Sequence, residues 1–336
     1  MFFLKVIYVI NKISISMEYD EFTHTNRYVY VDWDMSSRCN YSCYYCTPES
    51  HDNKINFPKL SDATALVDKI TTEYAGIKDF AVYNLLGGEP TIWTDLPEFS
   101  RYVKQANSKN MIQLLTNGNR TVQWWKRNAA YMDKIILTVH VAQADIVELV
   151  EKFNELANDL YIDFQVAMDI AVFDKCVADY YYAYNNLHNN ISLYPKPLRT
   201  VLSANELMPY TIEQDYIIKN LPNKWGRELE FQSSLIKKHK GEVVDPAVNI
   251  NKLVLNKENN WKGWACWVGI DTITINRIGD IKIGTSCNPD LVLGNISNLN
   301  FKIPMIPVRC RYDICSCFAD IGTTKIKNYK LPMIFD

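Results

Sequence analysis

The sequence predicts an α/β protein built on six parallel strands, followed by a smaller, cysteine-rich region. Two observations support this class. Apolar strand-like segments alternate with helix-like segments over residues 28–194, and the cysteines concentrate in two groups, one near each end of the 336-residue chain. Strands that alternate with helices form parallel βα units with right-handed crossovers. Six such units are too few to close an eight-stranded barrel, so we expect a partial, TIM-like (βα)6 barrel that is open at one side.

The six predicted strands are rich in β-branched and aromatic residues, and each lies between turn-forming segments. They cover residues 28–34, 80–86, 111–115, 134–139, 161–168 and 191–194. The helices between them are predicted at 61–73, with Ser61 as the N-cap, and at 96–107, 122–131, 145–157 and 174–185. One more helix is predicted at 211–221, in a segment that lacks the βα pattern.

These patterns divide the chain into four parts. Residues 1–16 form an apolar extension that is interrupted by lysines and is too short to span a membrane, and the sequence leaves its status open. Residues 17–200 form the predicted barrel, 201–255 a bridging segment, and 256–336 a cysteine-rich domain that contains a β-hairpin. The formal net charge of −2 gives no reason to expect nucleic acid or a membrane as a partner.

Three cysteines, Cys39, Cys43 and Cys46, stand in one loop directly after the first predicted strand. Iron–sulfur clusters are usually held by four cysteines, so a group of three indicates a four-iron (4Fe–4S) cluster with one iron open to an outside ligand. Closely spaced cysteines also bind zinc, and the loop alone leaves that alternative open. Clustered cysteines in a long chain indicate metal binding in a reducing compartment, and we therefore expect a cytoplasmic protein.

The spacing Cys39-x-x-x-Cys43-x-Tyr45-Cys46 resembles the signature loop of the radical S-adenosylmethionine (SAM) enzymes, including the aromatic residue before the last cysteine. The resemblance implies a partial barrel, and it implies that the open iron binds the amino and carboxylate groups of SAM. In that family one electron from the cluster cleaves SAM to methionine and a 5′-deoxyadenosyl radical, which abstracts hydrogen from the substrate. The resemblance also implies an electron donor of the flavodoxin or ferredoxin type.

A second motif, Gly87-Gly88-Glu89-Pro90, follows the second predicted strand and resembles the family's second signature. Glycines let the backbone approach a ligand without a Cβ in the way. The resemblance implies that Gly87, Gly88 and Glu89 bind the ammonium group of SAM. The plain alternative is a tight turn before a helix.

Further cofactor-binding residues are expected at the ends of the next two strands. By the same resemblance, Thr116, Asn117 and Thr138 bind the carboxylate and ribose of SAM, and Tyr45 lies near its adenine. Polar residues at strand ends are also ordinary turn formers. The chemistry of barrel folds lies at the carboxyl ends of the strands, and all the motifs named so far fall there.

The C-terminal region contributes five cysteines, Cys266, Cys287, Cys310, Cys315 and Cys317. A hairpin predicted over 270–283, with its turn at 276–280, separates the first two. This order resembles the twitch domain, a shortened SPASM domain that carries an auxiliary four-iron cluster. One cluster takes four thiolates. Because Cys315 and Cys317 point to opposite faces of an extended segment, one of them is the favoured spare, and Cys310 is the alternative. A structural zinc ribbon is the other interpretation.

The substrate cannot be chosen from the sequence. Relatives with a twitch domain oxidise small alcohols, build cofactor precursors or modify peptides, so both a small molecule and a peptide are candidates. No separate leader-binding domain is predicted at the N-terminus, which lowers the case for a peptide-maturing enzyme without removing it. A non-catalytic zinc or iron–sulfur electron-transfer protein is the alternative from another class, and cleavage of SAM to 5′-deoxyadenosine separates it from an enzyme.

Overall fold

The computed structural model describes residues 18–25, 27–200, 206–229, 235–248, 250–255, 257–285, 287, 291–315 and 317–331. The predicted extension at 1–16 lies outside the described residues. The strands of the described part are numbered in chain order: β1 (Glu21–His24), β2 (Tyr28–Asp34), β3 (Phe80–Leu86), β4 (Met111–Thr116), β5 (Lys134–Val139), β6 (Tyr161–Met168), β7 (Ser192–Pro197), β8 (Leu235–His239), β9 (Glu242–Asp245), β10 (Ala265–Cys266), β11 (Thr272–Ile275), β12 (Asp280–Lys282), β13 (Val292–Asn295), β14 (Val308–Arg309) and β15 (Lys325–Ile326).

The helices of the described part follow the same numbering. They are α1 (Leu60–Glu73), α2 (Leu96–Ala106), α3 (Val122–Asn128), α4 (Ile146–Asn154), α5 (Phe173–Asn186), α6 (Ile212–Asn220), α7 (Ile250–Leu255) and α8 (Phe318–Ile321). None of them is long and apolar enough to cross a membrane.

The larger sheet has nine strands in the order β13-β12-β11-β2-β3-β4-β5-β6-β7. Strands β2 to β7 pair in parallel with their neighbours along the chain, which confirms the α/β class and the six predicted strands. Strand β11 pairs in parallel with β2, with Thr272 opposite Tyr30. The predicted C-terminal hairpin, now β11 and β12, therefore extends the main sheet beyond its first strand.

Most predicted boundaries agree with the structure to within a few residues. The predicted bounds of β2, β3, β5 and β6 are those observed, whereas β4 and β7 continue to Thr116 and Pro197. The predicted cap of α1 is wrong, because the helix begins at Leu60 and places Ser61 inside its first turn. Leu60 packs against the core, which explains why the helix begins one residue earlier.

One face of the parallel sheet packs against helices and forms the main hydrophobic core. Val31, Trp33 and Leu85 are buried there. Apolar side chains of α4 and of the residues just after it join the same core: Ile146, Leu149, Val150, Phe153 and Leu156. Fully burying one such aliphatic side chain contributes roughly 1.5–3 kcal/mol, so this layer fixes the positions of the strand ends.

The smaller sheet is antiparallel and combines distant parts of the chain, in the order β14-β10-β15-β1-β8-β9. Glu21 of β1 lies opposite Ile326 of β15 on one side and Lys238 of β8 on the other. The segment 201–255, for which one helix was predicted, also contains the hairpin β8–β9. Residues from the predicted barrel, the bridging segment and the C-terminal domain thus share one sheet.

Candidate functional site

The three-cysteine loop begins directly after β2 at the carboxyl edge of the parallel sheet. Cys43 is 6% exposed, and Cys39 and Cys46 are half-buried. The backbone NH of Cys46 donates to the carbonyl of Cys43 at 3.0 Å, which closes the turn between them. Burial, together with the nearby thiols of Cys46 and Cys39, raises the pKa of Cys43 to about 11. The thiols are therefore protonated without metal, and metal binding must release their protons.

Two strand ends hold the first half of this loop. The backbone NH of Glu89, beyond β3, donates to the carbonyl of Arg38 at 2.8 Å. The side-chain amide of Asn117, beyond β4, donates to Oδ1 of Asn40 at 2.9 Å. The loop is thus attached to the two segments that the sequence analysis assigned to cofactor binding.

Two further strand ends hold the second half of the loop. The hydroxyl of Tyr45 and Nδ1 of His140, beyond β5, lie 2.7 Å apart and are hydrogen-bonded. The hydroxyl of Tyr44 donates to the carboxylate of Asp169, beyond β6, at 2.5 Å. Burial lowers the pKa of His140 to about 4, so its imidazole is neutral near pH 7. Four consecutive strand ends therefore position one short loop.

The two glycines of the second motif allow this close contact. Gly87 and Gly88 have φ angles of +90° and +55°, which side chains rarely adopt. A Cβ on Gly87 would lie 1.9 Å from Oδ1 of Asp34, and one on Gly88 would lie 2.0 Å from the carbonyl oxygen of Arg38. Any larger residue would push the motif away from the cysteine loop.

Glu89 is 2% exposed and joins the ends of β3 and β4. Its Oε1 accepts from the hydroxyl of Thr91 at 2.6 Å and from that of Thr116 at 2.7 Å, and its Oε2 accepts from the backbone NH of Asn117 at 2.7 Å. Burial raises its pKa, while these donors oppose that shift. The structure thus brings together three predicted site residues, Glu89, Thr116 and Asn117.

Thr138 lies at the end of β5 and accepts a hydrogen bond from Nζ of Lys196 on β7 at 3.2 Å. Lys196 also influences His140, whose pKa it lowers further. No role was predicted from the sequence for Lys196, Tyr44 or Asp169. Their contacts join segments far apart in the sequence, and only the strand-end position of Asp169 could have indicated it.

Arg277, in the turn between β11 and β12, reaches the base of the cysteine loop and was also not predicted. Its guanidinium donates to Oδ2 of Asp34 at 2.9 and 2.8 Å. It also donates to the carbonyl of Glu49 and the hydroxyl of Ser50. The C-terminal hairpin is therefore attached to the segment that carries the three cysteines.

Four of the five C-terminal cysteines converge at one place. The thiols of Cys287 and Cys315 hydrogen-bond to each other. Burial, together with the neighbouring thiols of Cys315 and Cys310, raises the pKa of Cys266 to about 12. Cys266, Cys287 and Cys310 line a common cavity of about 100 Å³. Four thiols are the donor set of a closed four-iron cluster.

The fifth cysteine, Cys317, is hydrogen-bonded to the side chain of Thr285. Burial raises its pKa, and the carboxylates of Asp320 and Asp32 raise it further. Its strongest electrostatic neighbours are thus acidic groups, one of which lies on β2. In the part of the chain that the structure describes, no three His, Cys, Asp or Glu side chains are already placed around a single metal ion.

This fold and loop correspond to a known class of metal-dependent domain. Residues 33–161 match the family model of the Radical SAM superfamily. The chain thus contains a Radical SAM superfamily domain over residues 33–161, and its curated relatives are named as enzymes. A domain of this superfamily implies a four-iron cluster and SAM as cofactors.

The curated relatives match only part of the chain. A probable GTP 3′,8-cyclase of Sulfurisphaera tokodaii is 32% identical over 103 residues, which cover 30% of this chain and 31% of that protein. The Fe-coproporphyrin III synthase of Methanosarcina barkeri is 32% identical over 89 residues, which cover 26% of this chain and 21% of that protein. The chain thus matches less than a third of the length of these relatives.

Two solved structures are also similar. Native anSMEcpe with bound AdoMet has a TM-score of 0.46 and 14% identity, and the match covers 81% of this chain and 78% of that chain. BtrN in complex with AdoMet and 2-DOIA has a TM-score of 0.40 and 15% identity, and the match covers 80% of this chain and 78% of that chain.

Proposed function

We propose that this protein is a radical SAM enzyme in which Cys39, Cys43 and Cys46 hold a four-iron cluster at the carboxyl edge of the parallel sheet. The observation that carries the proposal is the attachment of this loop to four consecutive strand ends. When bound, the cluster supplies the electron that splits SAM into methionine and a 5′-deoxyadenosyl radical, which abstracts hydrogen from the substrate. A flavodoxin or ferredoxin is the proposed source of that electron, and the cytoplasm the proposed location.

The chain's own residues orient SAM in this proposal. Gly87 and Gly88 bring their backbone against the loop, because neither has a Cβ that would collide with Asp34 or Arg38. Glu89 fixes the relative positions of Thr116 and Asn117. We propose that the donors and acceptors of these residues that are not already engaged in hydrogen bonds bind the ammonium and carboxylate of SAM.

Three residues would define the opposite side of the cofactor site. Tyr45 is held by His140 and is proposed to lie beside the adenine. Thr138, beside Lys196, is proposed to bind the ribose. The neutral imidazole of His140 fixes the Tyr45 ring without adding a charge.

The second proposal is an auxiliary four-iron cluster held by Cys266, Cys287, Cys310 and Cys315. The contacts among these four thiols support it. Cys317 is the proposed spare, since it is hydrogen-bonded to Thr285 and the charged groups that most raise its pKa are carboxylates rather than thiols. This proposal includes a division of the chain into domains. A partial barrel would cover residues 17–200, a twitch-like domain would begin at residue 256, and residues 201–255 would connect the two.

Anaerobic reconstitution with iron and sulfide tests both proposals. We expect a brown protein with about eight irons per chain, and formation of 5′-deoxyadenosine from SAM under reducing conditions. A protein that takes up zinc but no iron would contradict both proposals. A protein that binds iron but leaves SAM intact would contradict the enzymatic one.

A further inference from the structure

The two faces of the parallel sheet differ in character. The face against the helices is apolar, with Val31, Tyr83 and Leu114 among its buried residues. The other face carries a layer of polar side chains in the middle of the strands: Tyr30, Asp32, Asn84, Gln113, Gln165 and Tyr194. A parallel sheet that is covered on both faces is ordinarily apolar on both. A polar layer of this size therefore indicates a face that binds polar molecules.

This polar layer is closed at one end and faces the cysteine loop at the other. At the amino ends of the strands, Tyr28, Val82 and Leu229 form a buried apolar cluster, with Phe80 and Met111 packed against it. The cysteine loop stands beyond the carboxyl ends, directly after β2. A molecule on the polar layer would lie between this apolar floor and the loop.

The polar groups on the β2–β4 side form a chain that ends at a carboxylate. The side-chain amide of Gln113 donates to Tyr30 at 2.8 Å and to Oδ1 of Asn84 at 2.7 Å. The amide of Asn84 in turn donates to Oδ1 of Asp32 at 2.6 Å. This chain fixes the orientation of the Asp32 carboxylate.

Among the described residues no cation lies beside Asp32, unlike other carboxylates of the same face. Asp163 pairs with Lys134 at 2.5 Å, and Asp34 pairs with Arg277 at 2.8 Å. No lysine, arginine or histidine of the described ranges lies within ion-pair distance of Asp32. A buried charge without a partner costs several kcal/mol. Burial, together with the nearby carboxylate of Asp320, accordingly raises the pKa of Asp32 to about 7.

We propose that the polar inner face binds a small, polar substrate through a protonated amino group held by Asp32, with Asn84 fixing the acceptor. The proposal rests on the proposed function, because the same loop would deliver the radical to this face of the sheet. An ammonium group at Asp32 would supply the missing positive charge. The neighbouring amides and hydroxyls offer hydrogen bonds to further polar groups of the same molecule.

Paired probes test this proposal without knowledge of the substrate. The probes are glucosamine with glucose, 2-aminoethanol with ethylene glycol, and 2-aminocyclohexanol with 1,2-cyclohexanediol. Each pair differs by an amine in place of a hydroxyl. Binding to the anaerobically reconstituted protein is measured by saturation-transfer NMR with SAM present. We expect the amine to bind at least tenfold more tightly than its partner in at least one pair.

Two variants assign that preference to its residue. Asp32→Asn keeps the shape but removes the charge, and we expect it to abolish the preference. Asp163→Asn makes the same change on the same face at a carboxylate that already has its lysine, and we expect it to retain the preference. Equal binding within every pair, or a preference that survives Asp32→Asn, would overturn the proposal. If Asp32→Asn does not fold, equal binding within every pair of probes to the wild-type protein would still overturn the proposal.

Cofactor cleavage separates this inference from the proposed function. Formation of 5′-deoxyadenosine without any amine preference would leave the enzyme proposal intact and reject the role of Asp32. If the protein bound neither an iron–sulfur cluster nor SAM, the proposed function would be rejected, together with the inference that rests on it.

Discussion

The two cysteine groups of this protein are built in opposite ways. Cys39, Cys43 and Cys46 belong to one short loop, and hydrogen bonds from four strand ends hold that loop. Cys266 lies on β10, whereas Cys287, Cys310 and Cys315 come from separate later segments. The thiols of the first group come together once their loop is held in place. Those of the second group come together only after distant segments of the chain have packed against one another.

This difference predicts different costs of disruption. A local loop can lose its metal while the surrounding sheet persists, because its thiols contribute little to the core. A group assembled from distant segments crosslinks them when metal is bound, so losing one ligand also removes a connection between those segments. The predictions below test this contrast, beginning with the largest expected effect.

The largest effect is expected from replacing Cys39, Cys43 and Cys46 together with alanine. Formation of 5′-deoxyadenosine from SAM should fall to background, because no cluster remains to supply the electron. Iron should fall from about eight to about four per chain, with the circular dichroism spectrum retained. Chromatography of the reaction products and iron assays measure these outcomes. Persisting cleavage of SAM would show that the loop is not the cluster site.

Single alanine variants of the C-terminal cysteines should separate four ligands from one spare. For Cys266, Cys287, Cys310 and Cys315 we expect iron to fall from about eight toward about four per chain, together with a lower melting temperature. Cys317→Ala is the matched control and should keep full iron, because its nearest charged groups are Asp320 and Asp32. Mössbauer spectra assign the loss to one cluster. Full iron in all five variants would reject the auxiliary cluster.

Glu89→Ala should weaken both stability and cofactor binding. The change leaves Thr91, Thr116 and the backbone NH of Asn117 without their acceptor. Hydrogen bonds to a charged group are worth roughly 1.5–3 kcal/mol, so we expect a loss of that order in unfolding free energy. SAM affinity should fall about tenfold or more, as calorimetry would show.

Glu98→Ala is the control for that variant, because Glu98 is an exposed glutamate on α2. Glu98→Ala should change neither the unfolding free energy nor the affinity for SAM. Equal melting temperatures for the two variants would mean that the hydrogen bonds accepted by Glu89 do not stabilise the strand ends.

Arg277→Lys should loosen the contact between the C-terminal hairpin and the cysteine loop. The ammonium group of lysine cannot make the same set of hydrogen bonds that the planar guanidinium makes to Asp34, Glu49 and Ser50. We expect a loss of about 1 kcal/mol, since the pair is partly exposed, and faster amide exchange around residues 47–50. Arg309→Lys is the control, because Arg309 contacts only C-terminal carbonyls among its described partners. Unchanged exchange at 47–50 would show that the hairpin does not restrain the loop.

The smallest effect is expected from Tyr44→Phe. It removes one hydrogen bond to Asp169 and should cost about 0.5–1.5 kcal/mol. Iron should leave the N-terminal cluster faster when a chelator is added. Tyr102→Phe removes a similar hydroxyl–carboxylate contact, to Asp68, far from the loop, and should leave the rate of iron loss unchanged. Equal rates in the two variants would show that this tether does not hold the loop.

The sequence predicted the parallel sheet well because its signals are local. Apolar runs such as Phe80–Leu86 form complete buried strands that end at glycine or polar turns. The smaller sheet escaped prediction because its strands are two to five residues long, as in Glu21–His24 and Lys325–Ile326. Strands of that length carry almost no periodicity, and their partners lie far away in the sequence.

The candidate site divides in the same way. Cys39 to Cys46 and Gly87 to Glu89 could be named from spacing, since each motif is contiguous. The carboxylate of Asp169 and the guanidinium of Arg277 could not, because their importance depends on which loop they meet. Tyr44 and Asp169 are 125 residues apart in the chain, and no local pattern relates them.

The place of β1 in the smaller sheet constrains the order in which this protein can be completed during synthesis. β1 pairs with β8 and β15, and β15 begins at Lys325. Because chains are made from the N-terminus, β1 has both of its neighbours only after Lys325 and Ile326 have emerged from the ribosome. The parallel strands β2 to β7 can form before that. The first strand of the described part is thus among the last of the described strands to be paired on both sides.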